Sequence, residues 1–116
     1  MTIKSSDFYE TFSASIDSDQ EIHRRNAASR IYYSMYHHTL NIGYTPYADT
    51  GYHQGVIDHM LRQKGSRAAG YVLQNAHQKR VHADYKINED FTISEAKTIA
   101  ILYQRYIAMT EQLSAT

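Results

Sequence analysis

Apolar residues recur at helical spacing in five segments of this chain, separated by short polar stretches. In the first segment Phe8, Phe12 and Ile16 follow one another at four-residue intervals, which places them on one face of a helix. The later segments carry similar apolar faces. The pattern predicts helices over residues 6–16, 19–42, 53–62, 66–87 and 92–113.

Three helix starts carry capping signals. Ser18 with Glu21, and Thr92 with Glu95, have the spacing of a capping box, in which the hydroxyl and the carboxylate bind each other's unpaired backbone N–H groups. Ser66 is the expected cap of the fourth helix. The first box predicts that the second helix starts at about residue 19.

Glycine and proline mark the main break in the chain. Gly43 is expected to end the second helix, and residues 44–51, which contain Pro46, to form a loop. No segment alternates apolar and polar residues as a strand does, and there is no internal repeat. We therefore expect residues 1–116 to form a single all-α domain, a four- to five-helix up-and-down antiparallel bundle.

Composition narrows the class of protein. There is no Cys, and no apolar run approaches the roughly 20 residues that cross a bilayer. No signal peptide is recognisable, so we expect a cytoplasmic protein without membrane contact. Twelve basic residues balance twelve acidic ones, so contact with nucleic acid would have to use a local patch.

Residues 76–87 hold the densest group of ionisable side chains. On a helix His77, Arg80 and Asp84 share one face, whereas Lys79 and His82 point elsewhere. Arg80, Asp84 and Tyr85 could form an anion-binding face or the remnant of an active site. Alternatively, Arg80 and Asp84 form a buried pair and Tyr85 fixes the end of the helix.

The second predicted helix carries further polar and aromatic candidates. Asn26 and Arg30 lie one turn apart and could face Arg80 across the bundle, or form a buried network that sets helix register. Its tyrosines could belong to the core, to a dimer interface or to a base-stacking surface; they are Tyr32, Tyr33 and Tyr36.

Metal chemistry is not expected from this sequence. No two of the seven His have the i, i+4 spacing of a helical metal site, and no Glu-x-x-His pair of a di-metal bundle occurs. We predict no metal site and no cofactor. The basic residues around Lys79 and Arg80 could contact phosphate.

Three blocks in order resemble the HEPN family, in particular its small stand-alone prokaryotic group. The first begins at Asn26 and reads Asn-Ala-Ala-Ser-Arg-Ile-Tyr-Tyr-Ser-Met-Tyr-His. The second begins at Gly51 and reads Gly-Tyr-His-Gln-Gly-Val-Ile. The third begins at Arg80 and reads Arg-Val-His-Ala-Asp-Tyr, and the closing helix follows at the expected distance. The resemblance covers residues 17–113.

The resemblance implies a helical homodimer and, in many members, metal-independent RNA cleavage by an Arg-x4-6-His motif. It also implies a toxin–antitoxin or antiviral (phage) defence setting, with a nucleotidyltransferase or antitoxin as partner. In some HEPN toxins such a transferase modifies a Tyr just after the catalytic His, a position that Tyr85 loosely matches. By this resemblance Arg80 would stabilise charge on the phosphate, and His77 or His82 would move protons.

The chain departs from this motif, because the positions five to seven residues after Arg80 hold Tyr, Lys and Ile. His82 lies only two positions after Arg80 and would point about 160° away from it. Two hypotheses therefore stand. One is an RNA-interacting HEPN protein and metal-independent ribonuclease, and the other is a non-catalytic homodimeric module that binds a partner protein or a nucleotide.

Overall fold

The computed structural model describes residues 4–46 and 51–113, and within them the chain is all-α. In these two ranges five α-helices form the bundle, with a 3-10 turn over Ser13–Ser15 after the first. The helices are α1 (Ser5–Phe12), α2 (Glu21–Asn41), α3 (Tyr52–Arg62), α4 (Arg67–Tyr85) and α5 (Ile93–Thr110). The predicted all-α bundle is confirmed. None of the helices in the described ranges is long and apolar enough to cross a membrane.

Helix α4 runs antiparallel to each of its neighbours α2, α3 and α5. The start of α2 meets the end of α4, where Arg25 contacts the carbonyl of Ala83. Helices α3 and α4 form a hairpin, whose turn brings the backbone of Gly70 against Met60 with no room for a larger side chain. Residues of α2 and α5 share the core, where Tyr106 hydrogen-bonds the hydroxyl of Thr39.

The predicted apolar faces supply the core. Ala27, Ala28, Ile31, Tyr32 and Met35 of α2 are fully buried, as their spacing predicts. The faces of α3, α4 and α5 meet this stripe. Their fully buried members include Val56, Ile57, Met60, Leu73, Ala76, Ala96, Ile99 and Tyr106.

The capping predictions have different outcomes. The Thr92–Glu95 box is present, with both side chain to backbone hydrogen bonds at 3.1 Å. The Ser18–Glu21 box was wrong. Helix α2 starts at Glu21, and the Glu21 carboxylate accepts a hydrogen bond of 2.7 Å from the backbone N–H of Phe91 instead. The distant N–H of Phe91 therefore takes the place of the local backbone N–H that a capping box would use.

Two other predicted boundaries are close to the structure. Ser66 is the N-cap residue of α4, but its hydroxyl donates to the carbonyl of Met60 rather than accepting from its own helix. Gly43 follows α2 with a φ of 105°, a conformation that suits glycine. Residues 44–46 of the predicted loop are irregular, and positions 47–50 lie outside the described residues.

Arg25, which the sequence did not single out, holds the end of α4 against α2. Its side chain is buried, and its Nη1 donates to the carbonyls of His82 at 3.2 Å and Ala83 at 3.0 Å. Its Nη2 donates to the carbonyl of Glu89 in the loop beyond. A cation among the last carbonyls of a helix also complements the helix dipole. This contact fixes the position of the functional candidates on α4.

Candidate functional site

Arg80 lies on the side of α4 that faces α2. Its Nε is 2.9 Å from Oδ2 of Asp84, one turn further along. The Nε atom is buried and forms no hydrogen bond, so charge rather than hydrogen-bond geometry holds this pair. The Asp84 oxygen also accepts a 2.9 Å hydrogen bond from the hydroxyl of Ser29. The side chains of Arg80 and Asp84 retain 11% and 25% of their exposure, so this ion pair is largely desolvated.

Aromatic rings flank the Arg80 guanidinium. Its Cζ lies 5.5 Å from the ring centre of Tyr33 and 5.3 Å from that of Tyr85. Nη2 also donates a long hydrogen bond, 3.4 Å, to the Tyr33 hydroxyl. Arg30 lies over the same Tyr33 ring at 5.7 Å. Two cations therefore share one tyrosine, an arrangement that cation–π attraction stabilises.

Two histidines complete the cluster. His53 from α3 and His77 from α4 stack with their ring centres 5.4 Å apart and their planes 16° apart. Nδ1 of His53 is 2.9 Å from the hydroxyl of Tyr32, a buried residue of α2. The ring of Tyr36 packs 4.3 Å from that of His53. Three helices therefore meet at these imidazoles.

The surroundings keep both imidazoles neutral. Burial, followed by the neighbouring His77, Arg80 and His37, lowers the pKa of His53 to about 4. Burial and the Arg80 charge also lower the pKa of His77. At neutral pH each ring therefore has one nitrogen that can accept a proton. Burial raises the pKa of the Tyr32 hydroxyl, which stays protonated.

His77 and His82, the two histidines expected beside Arg80 from the sequence, lie in different places in the structure. His77 belongs to the cluster, because its ring centre is 5.4 Å from that of Tyr32. His82 faces the α4–α5 loop instead: its Nε2 is 3.1 Å from the carbonyl oxygen of Asp90, and its ring meets Phe91 edge-on at 5.4 Å. This is the direction that helical periodicity predicts.

The other proposed site residues differ in their exposure to solvent. Asn26 and Arg30 are exposed on α2, so they do not form a buried register network. Lys79 is partly buried on α4. Tyr85 is the last residue of α4 and is 66% exposed, with Arg80 over its ring.

His53 is the main site residue that sequence reasoning missed. In the sequence it belongs to the Gly-Tyr-His-Gln-Gly-Val-Ile block and to the scattered His weighed as metal ligands, and nothing in helical spacing links it to α4. In the described parts of the chain, no group of three or more His, Asp or Glu side chains is arranged to hold a metal ion.

No known protein family, curated protein or solved structure matches this chain.

Proposed function

We propose that this protein is a HEPN-like, RNA-interacting protein that acts as a metal-independent endoribonuclease. The observation that supports this best is the meeting of one cation, Arg80, with two neutral imidazoles, His53 and His77, in one cluster. A phosphodiester next to a ribose 2′-hydroxyl needs these groups, a cation for the phosphate and a proton acceptor for the hydroxyl.

The proposed reaction is transesterification within the RNA. The 2′-oxygen bonds to phosphorus, its proton passes to a neutral imidazole, and the bond from phosphorus to the 5′-oxygen breaks. The imidazolium so formed returns a proton to the departing 5′-oxygen, and the RNA ends in a 2′,3′-cyclic phosphate. Arg80 stabilises the charge that builds on the phosphate oxygens. In this proposal His53 or His77 takes the role that the family motif gives to a His after the Arg.

The test is cleavage of a mixed single-stranded RNA by the purified protein in EDTA. We expect 2′,3′-cyclic phosphate ends from the wild type and at least a hundredfold slower cleavage by Arg80→Ala. His53→Phe and His77→Phe, compared with His23→Phe at an exposed position of α2, identify the proton acceptor. Circular dichroism and thermal melting confirm that each variant is folded. If the wild type cleaves no RNA between pH 5 and 9, ribonuclease activity is excluded.

A second candidate is the non-catalytic homodimeric module that binds a partner protein or a nucleotide. Its support is the small exposed fraction of Arg80, 11%, together with its contact to Asp84, since a desolvated pair of this kind also serves structure. In that case Arg80→Ala lowers the melting temperature, and the wild type has no nuclease activity to lose. Sedimentation of the wild type tests the homodimer expected by both candidates.

The biological system in which the protein acts is part of the same proposal. A toxin–antitoxin or phage-defence system would supply a nucleotidyltransferase or an antitoxin as partner, and the exposed phenol of Tyr85 is accessible for modification by such an enzyme. Mass spectrometry of the chain after co-expression with a transferase encoded beside it would detect a nucleotidyl group on Tyr85.

A further inference from the structure

A cavity between α1 and α2 adjoins the Arg80 cluster. It has a volume of about 240 Å³ and is lined by Ser5, Phe8, His37 and Asn41. This volume is below the range of pockets that hold drug-sized ligands, roughly 300 to 1,000 Å³, and suits one small planar group. None of the four lining residues has a part in the proposed reaction.

A row of side chains joins this cavity to Arg80. The ring centres of Phe8 and His37 are 5.8 Å apart with planes 15° apart, and those of His37 and Tyr33 are 6.1 Å apart with planes 25° apart. Tyr33 then contacts the guanidinium groups of Arg80 and Arg30. Nearly parallel rings that lead to cations are the arrangement with which proteins bind the bases and phosphates of single strands.

The chemistry of the lining selects the kind of group that would bind. Ser5, Phe8 and Asn41 carry no charge, so three of the four lining residues offer no ion pair to a phosphate. The Asn41 amide supplies both donors and an acceptor, and the Ser5 hydroxyl can act as either. The Phe8 and His37 rings supply aromatic faces. Uncharged donors and acceptors beside aromatic faces match a nucleobase, whereas the phosphate fits the cations further along the row.

We infer that the cavity of Ser5, Phe8, His37 and Asn41 binds one unpaired RNA base, while Arg30 and Arg80 hold a phosphate of the same strand. This rests on the proposed function and defines its substrate as single-stranded RNA. A base in a duplex is paired and stacked, so it cannot enter the cavity. The amide of Asn41 reads the edge of the base, which gives the protein a preference among the four bases.

The test is fluorescence anisotropy with labelled octamers of U, C, A and G whose 2′-hydroxyls are methylated, which blocks cleavage through the 2′-oxygen. The same measurement is made on a duplex of A and U octamers. We expect single strands to bind at least tenfold more tightly than the duplex. Asn41→Ala should weaken binding of the preferred octamer about fivefold, the effect of losing roughly one hydrogen bond, and reduce the preference among bases. Phe8→Leu should weaken all four.

Asn75→Ala is the matched control, because Asn75 is an exposed amide on α4 outside the row. Single-strand binding by the wild type, with Asn41→Ala and Phe8→Leu behaving like Asn75→Ala, would overturn the base site and leave the proposed function standing. If the wild type binds the duplex as tightly as the single strands, the base site is overturned as well. Absence of binding by the wild type to any octamer would overturn both proposals.

Discussion

At the scale of single residues, the charge of Arg80 is already partly balanced within the chain. Asp84 contacts its Nε, and Ser29 holds the Asp84 carboxylate in place. We predict that Asp84→Asn lowers the free energy of unfolding by about 1 to 3 kcal/mol, because the largely desolvated guanidinium loses its counter-charge. Urea unfolding measures the change. The control, Glu10→Gln at an exposed position of α1, should change the free energy of unfolding by less than about 0.5 kcal/mol. If Asp84→Asn changes it no more than this control does, the ion pair adds nothing to stability.

The imidazole of His53 makes stability depend on pH. Its pKa is lowered in the fold from 6.5 to about 4 by burial and by His77, Arg80 and His37. The unfolded chain therefore takes up a proton near pH 6.5 that the folded chain refuses until about pH 4. The stability from this group is complete above pH 6.5 and falls as the pH drops from there towards 4.

We predict that unfolding free energy decreases between pH 7 and pH 4.5, with His53 contributing about 1 to 2 kcal/mol after allowance for solvent screening. The measurement is a series of urea melts. In His53→Phe the decrease should be smaller by that amount, with the remainder coming from His77 and His38, whose pKa values are also lowered by burial. A pH profile identical to that of the wild type would contradict the assignment.

At the scale of elements, the start of α2 holds the end of α4. Arg25 donates to the carbonyls of His82, Ala83 and Lys86, at distances of 3.0 to 3.4 Å. We predict that Arg25→Met lowers the free energy of unfolding by about 2 to 4 kcal/mol, because buried carbonyls lose a charged donor. Arg105→Met is the matched control, because Arg105 is exposed on α5, and it should have little effect. If Arg25→Met loses no more stability than this control, Arg25 is dispensable for docking α4.

Local signals in the sequence predicted elements well and their long-range contacts poorly. Thr92 and Glu95 form their box because both partners are within one turn. Ser18 and Glu21 have the same spacing, but a backbone N–H from Phe91 competes for the Glu21 carboxylate. Arg25 could not be singled out, since the carbonyls that it binds follow 57 to 64 residues later.

In the candidate site, too, the sequence predicted local relations well and long-range contacts poorly. Helical periodicity placed His77, Arg80 and Asp84 on one face and turned His82 away, and the contacts of these residues agree with it. His53 reaches the cluster only because α3 packs against α4. Its role depends on the tertiary fold, which spacing along the sequence does not encode.

At the scale of the whole molecule, charge limits how strongly RNA can be attracted. The formal net charge is zero, with twelve basic and twelve acidic residues, so no long-range field draws in a polyanion. Under the proposed function, attraction must come from a few cations: Arg30 and Arg80 beside Tyr33, and Lys79 on α4. Binding that relies on so few phosphate contacts depends only modestly on salt.

We predict that the logarithm of the association constant for single-stranded RNA falls with the logarithm of the KCl concentration with a slope of about −1.5 to −2, since each phosphate contact on a single strand contributes about −0.7. Anisotropy titrations between about 50 and 300 mM KCl supply the measurement. Arg30→Met should reduce the slope by about 0.7, whereas Arg105→Met, exposed on α5, should leave it unchanged. A slope steeper than about −4 would require a broad basic surface and would contradict the prediction. If Arg30→Met and Arg105→Met change the slope equally, the strand does not contact Arg30.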